Sequence, residues 1–241
     1  MPHGVLGEFM GTMVLILLGN GVVANVLLKK SKGESGGWIV ITTGWAMAVM
    51  CGVFTAIALG GDGHLNPAVT VAVGIASGNF ANVPGYILAQ MAGAIVGACL
   101  VWLHYLPHWR ETPEEDLKFA CFATAPAIRS TFSNLMSEII GTFVLVLVAD
   151  AIGSKAVAAN GVAPGVGPWL IGALVWGIGL GLGGTTGYAI NPARDLGPRI
   201  AHAFLPISGK GSSDWGYAPI PIVGPLIGAA LAALIARAAH L

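Results

Sequence analysis

Gly63-His64-Leu65-Asn66-Pro67-Ala68 in the first half of the chain is answered in the second by Tyr188-Ala189-Ile190-Asn191-Pro192-Ala193, with the two asparagines 125 positions apart. A second pair repeats in the same order: Gly7-Glu8-Phe9-Met10-Gly11-Thr12 and Ser137-Glu138-Ile139-Ile140-Gly141-Thr142, with the glutamates 130 apart. Features that recur in order at nearly constant separation mark an internal duplication. Each Asn-Pro-Ala also carries the chemistry of a helix start. Asparagine is a good cap, and proline suits the first helical position because its missing N–H would have had no partner there. The apolar stretches that follow, Pro67 to Ser77 and Pro192 to Phe204, hold 11 and 13 residues. Each is too short to cross a bilayer, but end to end they extend about 36 Å, one membrane thickness.

Around these segments the chain is built for lipid. Of its 241 residues 55% are hydrophobic and 9% charged, against roughly a quarter charged in a soluble domain. A balance of 11 basic and 11 acidic side chains leaves no net field for nucleic acid. Six apolar runs have spanning length, about 20 residues: Val5 to Leu28, Trp38 to Leu59, Pro84 to Leu106, Phe132 to Gly153, Pro168 to Thr186 and Tyr217 to Ala239. The first holds Glu8 and lacks a basic start, so it reads as a span and not a signal peptide. Three spans per repeat force the second half to enter the membrane from the opposite side. The expected fold is therefore an all-α membrane protein of six transmembrane helices plus two re-entrant half-helices. It forms one domain over 1–241, with inverted repeats at approximately 1–110 and 130–241 joined by a loop, 107–131.

Finer signals follow. The pairs Gly7/Gly11, Gly93/Gly97, Gly177/Gly181 and Gly224/Gly228 have the small-xxx-small spacing that lets helices approach closely in lipid. In the joining loop, Thr112, Pro113 and Glu115 read as cap, first-turn proline and capping-box acid. Cys51, Cys99 and Cys121 share no metal-ligand spacing, so neither a metal nor a disulfide is expected.

The paired boxes, the second continuing as Asn191-Pro192-Ala193-Arg194-Asp195, resemble the signature of the major intrinsic protein family. Within it they are similar to the aquaglyceroporin branch, of the bacterial glycerol uptake facilitator type. The resemblance extends to Glu8, Glu138 and the Gly-Pro-Leu-Ile-Gly at 224–228. It implies a multi-pass homotetramer in the cell membrane, without cofactor, passing glycerol and water. It implies a selectivity filter of Trp45, Gly179, Tyr188 and Arg194, in which the glycine leaves room and the two aromatics give an apolar corner for a carbon chain. It further implies a pore-lining role for His64, a scaffold role for Glu8 and Glu138 as acceptors for re-entrant backbone, and a loop-holding role for Asp195. The stretch between Trp45 and Asn66 is one residue longer than the family pattern.

In that reading 60–65 and 183–190 offer a ladder of carbonyl acceptors while Asn66 and Asn191 offer N–H donors. Helix N-termini converging at the midplane repel cations there. Family topology puts the N-terminus in the cytoplasm, whereas Lys29, Lys30, Lys32, Arg110, Lys118 and Arg129 argue for the reverse by the positive-inside count. The chain-wide resemblance takes precedence. Three other readings stand beside it: a water-selective aquaporin, disfavoured by Gly179 and Asp195; a proton-coupled transporter using Glu8 or Glu138; and an intramembrane enzyme. The last is disfavoured because Ser137 has no histidine opposite it and His104, His108 and His202 fall near span ends.

Overall fold

The computed structural model describes residues 4–239. Among them every regular element is helical: α1 (Val5–Leu27), α2 (Trp38–Ala58), α3 (Pro67–Ser77), α4 (Val83–His104), α5 (His108–Glu111), α6 (Glu115–Ala120), α7 (Thr131–Gly153), α8 (Gly167–Leu182), α9 (Pro192–Phe204) and α10 (Ile220–Ala238). Five of these, α1, α2, α4, α7 and α10, are long and apolar enough to cross a membrane, and α8 is a shorter apolar helix of 16 residues.

The fifth span thus ends before its expected limit at Thr186. Gly183-Gly184 follows the helix, the Thr185 carbonyl accepts from Ala127 N, and the Thr186 hydroxyl turns inward to Glu138. The Gly183-Gly184-Thr185-Thr186 that follows carries no charge, so composition alone does not mark the break.

Helix α1 packs on α2 and α4, and α7 packs on α8 and α10. The half-helix α9 lies against α4, α3 lies against α10, and α2 meets α8 across the middle. Exchanging α1–α4 for α7–α10 turns each of these contacts into another and returns α2 with α8 to itself, a pseudo-twofold arrangement in which each repeat's half-helix is held by the last long helix of the other.

Glycine sets these distances. A Cβ on Gly97 would stand 2.6 Å from the Met13 carbonyl and one on Gly224 2.6 Å from Cβ of Glu138. On Gly93 and Gly228 it would overlap the carbonyls of Phe9 and Ile139. Gly177 and Gly181 differ from the expectation for their spacing: no atom of the described chain lies near their missing Cβ, so they do not mediate packing within this chain. Gly93→Val is expected to lower the detergent unfolding midpoint by an amount equivalent to roughly 1–3 kcal/mol or more. Gly21→Val, in open space on α1, is the control; equal midpoints would contradict backbone contact as the reason for glycine at 93.

The capping box expected at Thr112 is absent. Helix α6 starts at Glu115 after Glu114, with no side-chain cap. The buried Thr112 hydroxyl instead accepts from Lys29 N (3.0 Å) and donates to the His108 carbonyl (3.0 Å), binding the joining loop to the first loop.

Candidate pore and selectivity filter

Asn66 and Asn191 cap α3 and α9 in extended backbone, their Oδ1 atoms accepting from Ala68 N (2.9 Å) and from Ala193 N (2.9 Å) and Arg194 N (3.2 Å). Pro67 and Pro192 follow at the first helical position, and Ala68 and Ala193 are wholly buried behind them. The caps are also crossed. Asn66 Nδ2 donates to the Ile190 carbonyl (2.8 Å), and Asn191 Nδ2 donates to the Leu65 carbonyl (2.9 Å). Leu65 and Ile190 sit at φ 53° and 43°, left-handed values that turn their carbonyls toward the opposite repeat. Such backbone is costly for branched residues and persists where surroundings over-determine it. Each amide spends one N–H on this strap and keeps one.

The over-determination comes from two buried carboxylates. Glu8 accepts from His64 N (2.9 Å), Leu65 N (2.8 Å) and Gln90 Nε2 (2.8 Å). Glu138 accepts from Ala189 N (3.0 Å), Ile190 N (2.8 Å) and the Thr186 hydroxyl (2.6 Å). Both oxygens of each carboxylate thus serve as acceptors for loops that have no helix to satisfy them.

A cavity of about 560 Å³ runs past both caps. Of the two loops, only Asp62 to Leu65 and Tyr188 to Ile190 line it. The expected carbonyl ladder is therefore shorter than 60–65 and 183–190, because Gly61 N turns back to the Ala56 carbonyl and Gly187 N to that of Gly183. Val69, Val73, Leu145, Ile171 and Val175 make the opposite wall apolar. His64 lines the cavity, its Nδ1 3.2 Å from the Thr70 hydroxyl and its ring edge-on to Tyr86, which donates to Asp62 (2.7 Å).

At the α9 end Arg194 holds its guanidinium carbon 4.3 Å from the Trp45 ring centroid, with Tyr188 on the same lining. The Trp45 ring is seated on Gly19, whose Cβ would stand 2.6 Å from its Cη2. Gly179 is near this group but does not line the cavity. Its absent Cβ is the space taken by Tyr188: it would lie 2.8 Å from Cζ and 2.9 Å from the hydroxyl. The glycine therefore makes room for an aromatic ring, where the sequence suggested room for solute. Trp38 fixes the backbone there through Nε1 to the Gly179 carbonyl (3.1 Å).

Asp195 is buried outside the cavity, accepting from Thr124 N (2.8 Å), the Thr124 hydroxyl (2.6 Å) and Arg199. Arg199, completely buried, also reaches the carbonyls of Thr124, Ser213 and Asp214, each at 2.9 Å. Sequence reasoning missed Arg199, Thr124, Gln90, Thr70 and Gly19. A lone amide in an apolar span and a second arginine on the half-helix were the available signals for Gln90 and Arg199. It also missed a serine–histidine pair: His202 Nδ1 lies 2.8 Å from the Ser213 hydroxyl, but both are buried and neither lines the cavity. Ser137 donates to the Ser133 carbonyl within its own helix.

The family model described as "Major intrinsic protein" matches residues 2–236. The chain belongs to the major intrinsic protein family. As a member of that family it is a multi-pass membrane protein. It is 57% identical over 229 residues to the "Probable glycerol uptake facilitator protein" of Thermotoga maritima, covering 95% of each chain. With the "Glycerol uptake facilitator protein" of Streptococcus pneumoniae strain R6 it shares 56% over 236 residues, 98% of each. It is 39% identical to the "D/L-lactic acid transporter" of Lactiplantibacillus plantarum, over 97% of this chain and 96% of that one. Among solved structures it is similar to the aquaglyceroporin from Plasmodium falciparum, with a TM-score of 0.85 and 29% identity over 97% of this chain and 94% of that one. The six spans and two half-helices are thus the architecture of this family.

Proposed function

We propose that the chain is a passive channel of the cell membrane conducting glycerol, related small polyols or neutral solutes, and water, while excluding ions and protons. It acts without cofactor or metal and catalyses no reaction. The observation that carries this reading is the crossed capping of α3 and α9, which brings two helix N-termini together beside one cavity with Arg194 at its end. A permeant hydroxyl meets fixed donors and carbonyls on one wall and hydrocarbon on the other, so it trades water for protein without the roughly 4–8 kcal/mol cost of bare transfer to an alkane-like phase. The converging helix ends and Arg194 make the path unfavourable for cations. The names of the relatives support glycerol as the solute. In this reading Trp45, Tyr188 and Arg194 form the filter, Gly179 seats Tyr188, the two Asn-Pro-Ala boxes form the midpoint, and Glu8, Glu138 and Asp195 are scaffold. The homotetramer implied by the family resemblance belongs to the same proposal.

Coupled transport through Glu8 or Glu138 is disfavoured because both carboxylates are engaged by backbone N–H groups that a protonated acid could not fully satisfy. Proteoliposomes with an imposed pH gradient are expected to equilibrate glycerol and never accumulate it. Sustained accumulation above the external concentration would move the reading to a proton-coupled transporter.

A further inference from the structure

The converging N-termini of α3 and α9, with Arg194, account for the rejection of cations, but the same positive field attracts small anions. Three residues lining the cavity carry a formal charge: Arg194, Asp62 and Asp150. They are segregated by sign. Arg194 stands in the first turn of α9, beside the loop that Glu138 holds. Asp150 lies twelve residues after Glu138 on α7, about 18 Å further along that helix. It lines the cavity together with Ser77 at the end of α3 and Gly167 at the start of α8. Asp62 precedes Asn66 by four residues, on the loop that Glu8 holds.

These two carboxylates have no neutralising partner. The four ion pairs among the described residues, Lys29–Glu34, Lys30–Glu111, Arg129–Asp214 and Arg199–Asp195, all lie off the cavity. Asp62 accepts from the uncharged Tyr86 hydroxyl (2.7 Å), and Asp150 pairs with no described cation, Lys155 in the following loop included. Water can solvate such a charge but cannot cancel it. Asp150 also sits in the last turn of α7, which holds no basic residue and where the helix dipole disfavours a negative charge. Stability alone would favour a neutral or basic side chain there, so the carboxylate answers another requirement.

We propose that Asp62 and Asp150 make the α3 end of the cavity an anion-rejecting mouth: they offset the positive midpoint, so that a small monovalent anion narrow enough for the glycerol path is turned back. This rests on the channel reading and adds to it a charge barrier separate from the filter. Between low-dielectric walls a carboxylate acts on a passing ion far more strongly than in open water. A barrier at one mouth opposes flux in both directions, and uncharged glycerol is indifferent to it.

The test uses nitrate, which is smaller than glycerol and has no neutral form at neutral pH. Proteoliposomes with valinomycin in potassium nitrate swell only as fast as nitrate enters with potassium; glycerol permeability is read on the same preparation, and thermal unfolding in detergent alongside. Wild type is expected to pass glycerol and to swell in potassium nitrate no faster than protein-free vesicles. The double variant, Asp62→Asn with Asp150→Asn, keeps both shapes and an acceptor for Tyr86. It is expected to raise nitrate permeability relative to glycerol at least about tenfold above the wild-type bound. Asp150→Asn alone is expected to give about threefold or more, with an unfolding midpoint unchanged or raised, and decides the question if the double variant does not fold. Nitrate permeability that stays at the protein-free level in the folded variants overturns the proposal, as does rapid nitrate swelling of the wild type. A lowered midpoint for Asp150→Asn also overturns it, since the carboxylate would then have a structural role. Wild-type vesicles that pass no glycerol overturn the channel reading and this inference with it; glycerol flux with nitrate flux unchanged across the variants overturns the inference alone.

Discussion

Glu138→Ala is expected to abolish recovery of folded, monodisperse protein. The substitution leaves Ala189 N and Ile190 N without acceptors and strips the Thr186 hydroxyl of its partner, all in the interior. An unsatisfied buried group costs roughly 1–3 kcal/mol, so losing three approaches the whole stability of many proteins. The consequence reaches the pore because Ile190, strained at φ 43°, carries the carbonyl that holds Asn66. Glu138→Gln keeps one acceptor oxygen and is expected to fall between the two. The measurement is the monodisperse fraction by size exclusion and the unfolding midpoint. If Glu138→Ala is as stable as wild type and alters only solute ratios, the carboxylate is part of the permeation path and not its scaffold.

Gly179→His is expected to cut glycerol permeability more than about tenfold, a barrier increase above roughly 1.4 kcal/mol, with a much smaller effect on water. A β-carbon at 179 would press on Cζ and the hydroxyl of Tyr188 and on Thr42 Cγ2 at 3.0 Å. The Tyr188 ring can yield only toward the cavity it lines, where Trp45 and Arg194 already stand. Glycerol, which needs clearance for a carbon chain, then loses the path. Water in single file needs only hydrogen-bond partners, which Arg194 and the loop carbonyls still offer. Both permeabilities are to be read on the same vesicles at matched protein content. Equal fractional losses would remove Gly179 as the seat of the filter aromatic.

The parts of this molecule that were legible in advance are those written locally or by repetition. Asn-Pro-Ala predicts a capped helix start wherever it occurs, and its recurrence 125 residues on in an apolar chain predicts the broken span. Span lengths follow from bilayer thickness, except where α8 ends at Leu182 and the uncharged Gly183-Gly184-Thr185-Thr186 continues the run. What stayed hidden depends on partners far along the chain. Thr112 satisfied a local capping pattern, yet its hydroxyl was claimed by Lys29 N, 83 residues away. Asp195 draws on Thr124, 71 residues distant, and Gln90 on Glu8, 82 distant. Gly179 is singled out by resemblance, but whether its space goes to solute or to a ring is a tertiary question that spacing cannot answer. The basic residues behind the positive-inside count are likewise committed: Lys29 to Glu34, Lys30 to Glu111, Arg129 to Asp214, and the buried Lys118 to the carbonyls of Ser208 and Gly209.

The most direct measurement is stopped-flow light scattering on proteoliposomes given parallel inward gradients of glycerol and sorbitol, at several temperatures. A channel built on crossed half-helix caps predicts fast shrinkage in both, because water passes, then rapid reswelling in glycerol with weak temperature dependence and none in sorbitol. Reswelling in glycerol no faster than in protein-free vesicles, from protein that is folded and correctly inserted, would contradict it.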